Sequence, residues 1–432
     1  MKYLFCTLPV FLLFTQVIHG KCKYTIPADV TYFDAFRYKF RGGDTLCIEG
    51  GTRRLLQIKH LLGDSLNPIV IINKGQVIIN NTDFYYGFKI HNCQYFKLTG
   101  TGNPDIAYGF RITGTGSQAP GLHITGLSSD FEVEHIEICS TGFSGIMSKS
   151  DPSCDHSTNR ENFLQKNVSF HHNYIHDVAG EGMYIGNSFY RGFAKSRKCM
   201  GDTLFPHEIR NLRIYNNKIE NTGWEGIQIG CASNNVQVYS NFIQDFGLDK
   251  MSGQNNGLQI GEGTTGLFFN NIIRKGSGNG IIVLGQGQIL IYNNYIGNCK
   301  ASGIFCDNRT DSGNDLIAVL NNTIDNFGLN GIRWYNENAH TIFSHNLIID
   351  TDENEKEYFL FHPHDLKQES ENNQTGKSYE ALNVVIDPEG NIECKTIIEH
   401  GKSLSFLKQI LDKANIPLHN KMGAWLKADQ FR

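Results

Sequence analysis

The sequence predicts an all-β fold, a parallel β-helix solenoid with a short C-terminal capping segment. Three observations carry this. The pattern Asn-x-Ile recurs along the chain, and seven of its copies, at Asn173, Asn217, Asn241, Asn271, Asn294, Asn322 and Asn346, each follow a strand-like run. In five of them a glycine follows nine residues later, at Gly182, Gly226, Gly280, Gly303 and Gly331; after Asn241 the gap stretches to sixteen, at Gly257. Around each motif apolar and polar residues alternate, with no helical period. A unit that keeps its internal spacing while insertions fall outside it is one structural rung copied many times.

The first element is the segment 1–20. Lys2 gives a positive start, Tyr3 to Ile18 is mostly apolar, and Gly20 offers a small residue before a cut. This reads as a secretory signal, too short and wrongly flanked for a membrane span. A secreted or extracytoplasmic location is therefore expected. Cleavage moves the formal charge from −4 to −5, which gives no basic footprint for nucleic acid. No later stretch is apolar enough to span a bilayer, and a monomer is expected. Ten cysteines remain. Disulfides within a coil, Cys299 with Cys306 and Cys139 with Cys154, stand beside buried free thiols as two open readings.

The second element, 21–350, is the β-helix. Before each asparagine runs a strand with one buried face, as in Val168, Phe170 and Ile175 or Ile289, Ile291 and Ile296. After each glycine comes another, as in Ile227-Gln-Ile229 and Ile281-Ile-Val283. The asparagines are expected to point inward, bonding turn backbone and stacking on their copies. The glycines are expected to allow a positive φ at a corner. Val133, Ile136 and Ile138 extend the pattern back to Gly145, with Ile136 in the asparagine place. Leu122-His-Ile124 and Phe88-Lys-Ile90 resemble strands of earlier coils. The third element, 351–432, is read as the closing segment, needed because an open solenoid end exposes unpaired strand edges.

The chain resembles the secreted right-handed parallel β-helix proteins of the pectate-lyase-like superfamily, in particular the little-characterised repeat proteins of Bacteroidetes. The likeness covers about 43–350. It rests on Gly43-Asp-Thr-Leu-Cys-Ile-Glu-Gly-Gly51, Asn67-Pro-Ile-Val-Ile-Ile-Asn73, Glu181-Gly-Met-Tyr-Ile-Gly186, Gly223-Trp-Glu-Gly-Ile-Gln-Ile-Gly230 and Gln254-Asn-Asn-Gly-Leu-Gln-Ile-Gly-Glu262. The resemblance implies action on carbohydrate: polyuronate lyases, polygalacturonases and uronate epimerases share it with adhesins. No catalytic signature of those enzymes is present, so fold kinship does not fix a reaction.

The rung gives candidate geometry. One residue before each glycine, the column reads Ser144, Glu181, Glu225, Asn256, Asn279, Ser302 and Asn330. Two after, it reads Met147, Tyr184, Gln228, Gln259, Ile282, Phe305 and Arg333. Long insertions at 150–166 and 187–210 border the early coils and place a cleft there. Glu181 and Glu225, one rung apart on the outer face, are expected about 5 Å from each other. That spacing suits a retaining glycosidase pair or half of a calcium site, while a structural role bonding corner backbone is the plainer alternative. Tyr184, Gln228, Gln259 and Glu262 suit a sugar platform, or ordinary strand surface. Lys149 is a candidate base beside a uronate carboxylate, with Arg191 or Arg197 neutralising the acid. The function read from these is action on, or binding of, an acidic polysaccharide, most plausibly as a β-eliminating lyase. A non-catalytic glycan-binding or adhesive solenoid and a glycoside hydrolase using Glu181 and Glu225 are the alternatives. No cofactor is obligatory in these readings, and calcium is the one considered.

Overall fold

The computed structural model describes residues 21–382 apart from 84, 194–198, 200, 310–314, 353, 354 and 363–367. Beyond them it describes the backbone of 384–386 and 392–394, with Lys408, Asp412, Gly423 and Ala424. The leader segment 1–20 and Arg197 lie outside the described residues.

The strands wind into a three-sided parallel β-helix. Two sides join into one 24-stranded sheet and the third is a separate 12-stranded sheet. One coil shows the plan: Gly266–Phe269 lies on the first face, Ile272–Gly276 on the second and Ile281–Val283 on the third. Each pairs in parallel with its copy on the next coil, Gln288–Tyr292, Tyr295–Cys299 and Ile304–Cys306. Stacking continues past 350. Phe359–Phe361, Gln368–Glu371 and Gln374–Gly376 pair with the coil before them, so the boundary expected at 350 falls one coil early. The only antiparallel pair among the described strands is Val384–Ile386 with Ile392–Cys394.

The inward rows form one continuous core, in which Ile175, Ile219, Ile243, Phe268, Ile296 and Phe343 are all fully or almost fully buried. At the turn between first and second faces runs the asparagine row. Asn271 Nδ2 donates to Val238 O and to Asn294 Oδ1, and Asn271 N–H donates to the same Oδ1, all at 3.0 Å. The pattern repeats from Asn173 to Asn346 and ends on Asn373 Oδ1. Asn373-Gln-Thr375 is thus an eighth rung that the Asn-x-Ile pattern misses. The residue before each of the eight is left-handed, with φ between 52° and 57°. Ile136 occupies the asparagine place one coil earlier, where its N–H donates to Asn173 Oδ1.

The repeated glycines have a different reason from the expected one. Gly145, Gly182, Gly226, Gly257, Gly280, Gly303 and Gly331 are absent from the positive-φ residues. A Cβ on any of them would stand 2.2–2.6 Å from the Cγ2 of Ile175, Ile219, Ile243, Ile273, Ile296, Ile324 or Ile348 respectively. Each of these is the isoleucine of the Asn-x-Ile motif on the following coil. Glycine and isoleucine are therefore two halves of one contact between neighbouring coils, which is why they recur together.

Two disulfides form, Cys22–Cys47 and Cys154–Cys199. The first ties the N-terminal strand to the first coil. The second joins the insertion after Gly145 to the insertion after Gly182. The within-coil pairs considered from sequence do not form: Cys139, Cys299 and Cys306 are free thiols, the last two buried.

Gly280→Ala is expected to lower stability by about 1–3 kcal/mol, the usual cost of overpacking a filled core. Ile296→Ala should recover part of that loss, because it removes the clashing methyl. Urea midpoints of the two single variants and the double variant check this; strictly additive losses would contradict the contact.

Candidate functional site

On the third face each strand turns its middle residue outward. The register aligns these residues as Tyr32, Gln57, Lys89, His123, Met147, Tyr184, Gln228, Gln259, Ile282, Phe305 and Arg333. Successive members stand about 4.8 Å apart. The sequence column beginning at Met147 is therefore real, but it extends four coils further back. Gly87 and Gly121, each two residues before a column member, are the signal that finds Lys89 and His123.

The early half of this column is cationic and aromatic. A cavity of about 210 Å³ at its start is lined by Tyr32, Phe33, Asp34, Arg37, Gln57 and Lys59. Lys59 stands next to His91 in register. Lys89 Nζ lies 5.3 Å above the Tyr86 ring, and Lys149 Nζ lies 5.1 Å above the Tyr184 ring. Burial, assisted by Lys59, lowers the Lys89 pKa. Burial, with Lys89 and Lys149 nearby, pushes His123 down to about 3. Its imidazole is therefore neutral near pH 7 and a weak base. Burial raises the Tyr184 hydroxyl above its ordinary value, so it stays protonated.

Lys149 is the one sequence candidate for a base, and its setting differs from that expectation. Its ammonium lies 2.6 Å from the exposed Asp151 carboxylate, an ion pair that suits charge neutralisation better than proton abstraction. Arg191 does not stand beside it. Its guanidinium donates to Arg309 O at 2.6 Å, on the loop following Ile304–Cys306. That strand lies five coils from Ile146–Ser148, roughly 24 Å along the axis.

Glu181 and Glu225 do share one column, but they are not displayed on the surface. They are 1% and 0% exposed. The position before the glycine is buried on other coils as well, at Ser144, Asn256, Ser302 and Asn330, and near Glu225 the turn after Asn241 adds backbone hydrogen bonds from Gly247, Leu248 and Asp249 to Trp224, Thr222 and Gly223. Burial raises Glu181 to about 7, with Lys149 opposing. Burial, then the neighbouring Glu181, raises Glu225 to about 8, although Asn256 Nδ2 donates to its Oε1 at 3.2 Å. Glu181 Oε2, Glu225 Oε2 and Ser144 Oγ are buried without a hydrogen-bond partner. A calcium ion there would need both carboxyls ionised and six or more oxygens around it, and burial opposes the first requirement.

Gln228 and Gln259 are 2% and 6% exposed, so they form no open platform. Gln228 Nε2 and Tyr184 OH both meet Ser188 Oγ, at 2.8 and 2.7 Å, where the insertion leaves the coil. Glu262 is half-buried, and its backbone carbonyl accepts from Cys231 N–H. Tyr32 is exposed and Lys89, His123, Met147 and Tyr184 are half-buried, so the accessible early stretch lies toward the N-terminal end of the region expected from sequence, with Gln57 buried within it. Two other grooves lie away from it. One of about 490 Å³ flanks Tyr108, His172 and Lys218, and one of about 200 Å³ flanks Val236, Leu267 and Leu290.

Residues 204–354 match the family described as "Right handed beta helix region", so the solenoid is a right-handed parallel β-helix. No curated protein matches the chain. Among solved structures, it is similar to a GH136 lacto-N-biosidase from Eubacterium ramulus at 11% identity and TM-score 0.46, over 81% of this chain and 68% of that one. A mannuronan C-5 epimerase A-module from Azotobacter vinelandii gives 13% identity and TM-score 0.44, over 78% and 91%. An alginate lyase from Paenibacillus gives 14% and 0.38, over 82% and 95%. No helix among the described residues is long and apolar enough to cross a membrane.

The buried carboxyls make stability depend on pH with a fixed sign. Above the ordinary carboxylate value of 4.5, the unfolded chain loses both protons while the folded chain keeps them up to about 7 and 8. Stability is thus fully present below about pH 4.5 and falls as pH rises through 8. Glu225→Gln should flatten this fall, so that between pH 4 and pH 8 the variant loses less stability than the parent by on the order of a few kcal/mol. Unfolding curves across that range check it; parallel profiles for variant and parent would contradict it.

Proposed function

We propose that this protein binds an acidic polysaccharide along the open third face and cleaves it by β-elimination. The observation that supports this best is a contrast of charge. The chain carries a formal charge of −4, yet Arg37, Lys59, Lys89 and Lys149 gather beside one column with two histidines and three tyrosines. A polyuronate offers one carboxylate per sugar, and a cationic strip with aromatic neighbours meets that repeat.

In this reading Lys89 and Lys149 neutralise the uronate carboxylate, which makes the adjacent C5 proton removable. His123 takes that proton, with the bound uronate offsetting the two lysine charges that weaken it as a base. The C4–O bond then breaks, a C4=C5 double bond forms, and the departing oxygen takes a proton from Tyr184, which is protonated, lies under Lys149 and stands two coils from His123 in the same column. No step in this sequence calls for calcium. Export rests on the leader-like first twenty residues and agrees with two disulfides. The buried Glu181 and Glu225 give no support to a glycosidase pair, since neither carboxyl reaches the surface.

Binding without cleavage is favoured by a different observation. On the first face His171, Tyr215, Tyr239 and Phe269 stack at 4.5, 4.9 and 4.9 Å, a partly exposed aromatic ladder.

A panel of polyuronates, read by the absorbance of unsaturated products, tests the proposal. One substrate should be cleaved, and His123→Ala and Lys149→Ala should each lower kcat/KM by about 10²-fold or more. Salt should weaken binding, because the contacts are ionic and exposed. Saturable binding with no product would favour the binding module, and undiminished activity in both variants would overturn the site.

A further inference from the structure

The second face carries a cluster that the polysaccharide reading does not use. Ile136–Cys139 and Tyr174–Val178 are neighbouring strands, with Glu137 opposite Tyr174 and Cys139 opposite His176. One carboxylate oxygen of Glu137, Cys139 Sγ and a ring nitrogen of His176 all lie within 4.8 Å of one another. Glu137 and His176 side chains are 14% and 17% exposed, so the cluster is sheltered yet open to solvent on one side. We propose that it is a divalent metal site of the zinc class, with Glu137, Cys139 and His176 as ligands and a fourth position open to water.

The arrangement around His176 carries the argument. Asp177, in a left-handed conformation with φ 52°, turns its carboxylate back onto His176 Nδ1 at 2.6 Å. A carboxylate accepts, so Nδ1 carries the hydrogen and Nε2 presents its lone pair. That Nε2 is buried, makes no hydrogen bond and faces Glu137 Oε1 at 3.6 Å. A bare lone pair beside a carboxylate oxygen is unfavourable unless a cation lies between them. With metal–ligand bonds near 2.1 Å, ligand atoms in a tetrahedral site are roughly 3.4 Å apart, close to the separation seen. A carboxylate holding the far nitrogen of a ligating histidine is the outer support that such sites use. Tyr174 stacks on the imidazole at 4.3 Å and fixes its plane. Arg111 donates to the same Glu137 Oε1 at 2.7 Å, so that oxygen is held by the guanidinium while it faces His176. Thiolate, imidazole and carboxylate together suit zinc better than calcium or magnesium.

The second acidic and histidine cluster, Glu132, Glu134 and His171, is different. Lys97 Nζ lies 2.6 Å from both of its carboxylates and bridges them, whereas Arg111 meets only one of the three groups in the first cluster.

Cobalt(II) titration of the whole chain, freed of metal by chelator, tests the site. One equivalent should produce a sulfur-to-cobalt charge-transfer band in the near ultraviolet. Cys139→Ser should abolish that band, and Asp177→Asn should weaken binding roughly 10- to 100-fold. In the unaltered chain, zinc should slow alkylation of Cys139, read by peptide mass spectrometry, which needs no variant to fold. Overturning results are no band at one equivalent together with unchanged Cys139 alkylation, or a band that survives Cys139→Ser. Either would leave the cluster as a set of side chains held by Asp177 and Arg111, with no metal.

Discussion

Everything in this structure depends on keeping successive coils at strand spacing. Two contacts do so at the corners. The buried asparagine amides hand hydrogen bonds from one coil to the next, each Oδ1 accepting both an N–H and an Nδ2 from the coil before. The glycine corners then let the following isoleucine methyl come closer than any Cβ would allow. An amide left without its partner inside this core would cost on the order of 1–3 kcal/mol, so the row is self-enforcing once begun. It begins on Ile136 N–H, where the sequence substitutes an apolar residue, and it ends on Asn373. Because the corners are fixed, the three faces keep register over the full length, and outward residues line up in columns.

That regularity explains what was legible in the sequence. The fold class, the inward asparagines and the vertical columns follow from spacing alone, since spacing is what the corner contacts conserve. The reason for the glycines was not legible, because a steric demand from the next coil and a demand for positive φ both select glycine. The left-handed positions were hidden for a similar reason: His172, Asn216, Ser240 and Asn270 tolerate that conformation and vary. Glu181 and Glu225 were correctly placed in one column and wrongly placed on the surface. Their burial belongs to the column itself, since Ser144, Asn256 and Ser302 in the same place are buried too, and polar residue types there read as outward. Lys89 and His123 could have been found by carrying the glycine offsets back before Gly145.

The three faces divide the chemistry. The first carries stacked rings running from His171 to Phe269. The second carries the sulfur, imidazole and carboxylate cluster between two coils. The third carries the cationic column, with a cavity at its N-terminal end and an insertion bonded across Tyr184 and Gln228 at the other. Cys154–Cys199 ties the two insertions that rise between third and first faces, so that edge of the column is walled. A polymer lying along the solenoid axis would meet a lysine or histidine on each of several coils, which is how a repeating acid can be read by a repeating protein.

The most direct measurement is a crystal structure of the chain with an acidic oligosaccharide bound. The account predicts the sugar chain running parallel to the solenoid axis over Tyr32, Lys89, His123 and Tyr184, with a uronate carboxylate between Lys89 and Lys149. Sugar bound instead on the ladder from His171 to Phe269, with the third face empty, would contradict it.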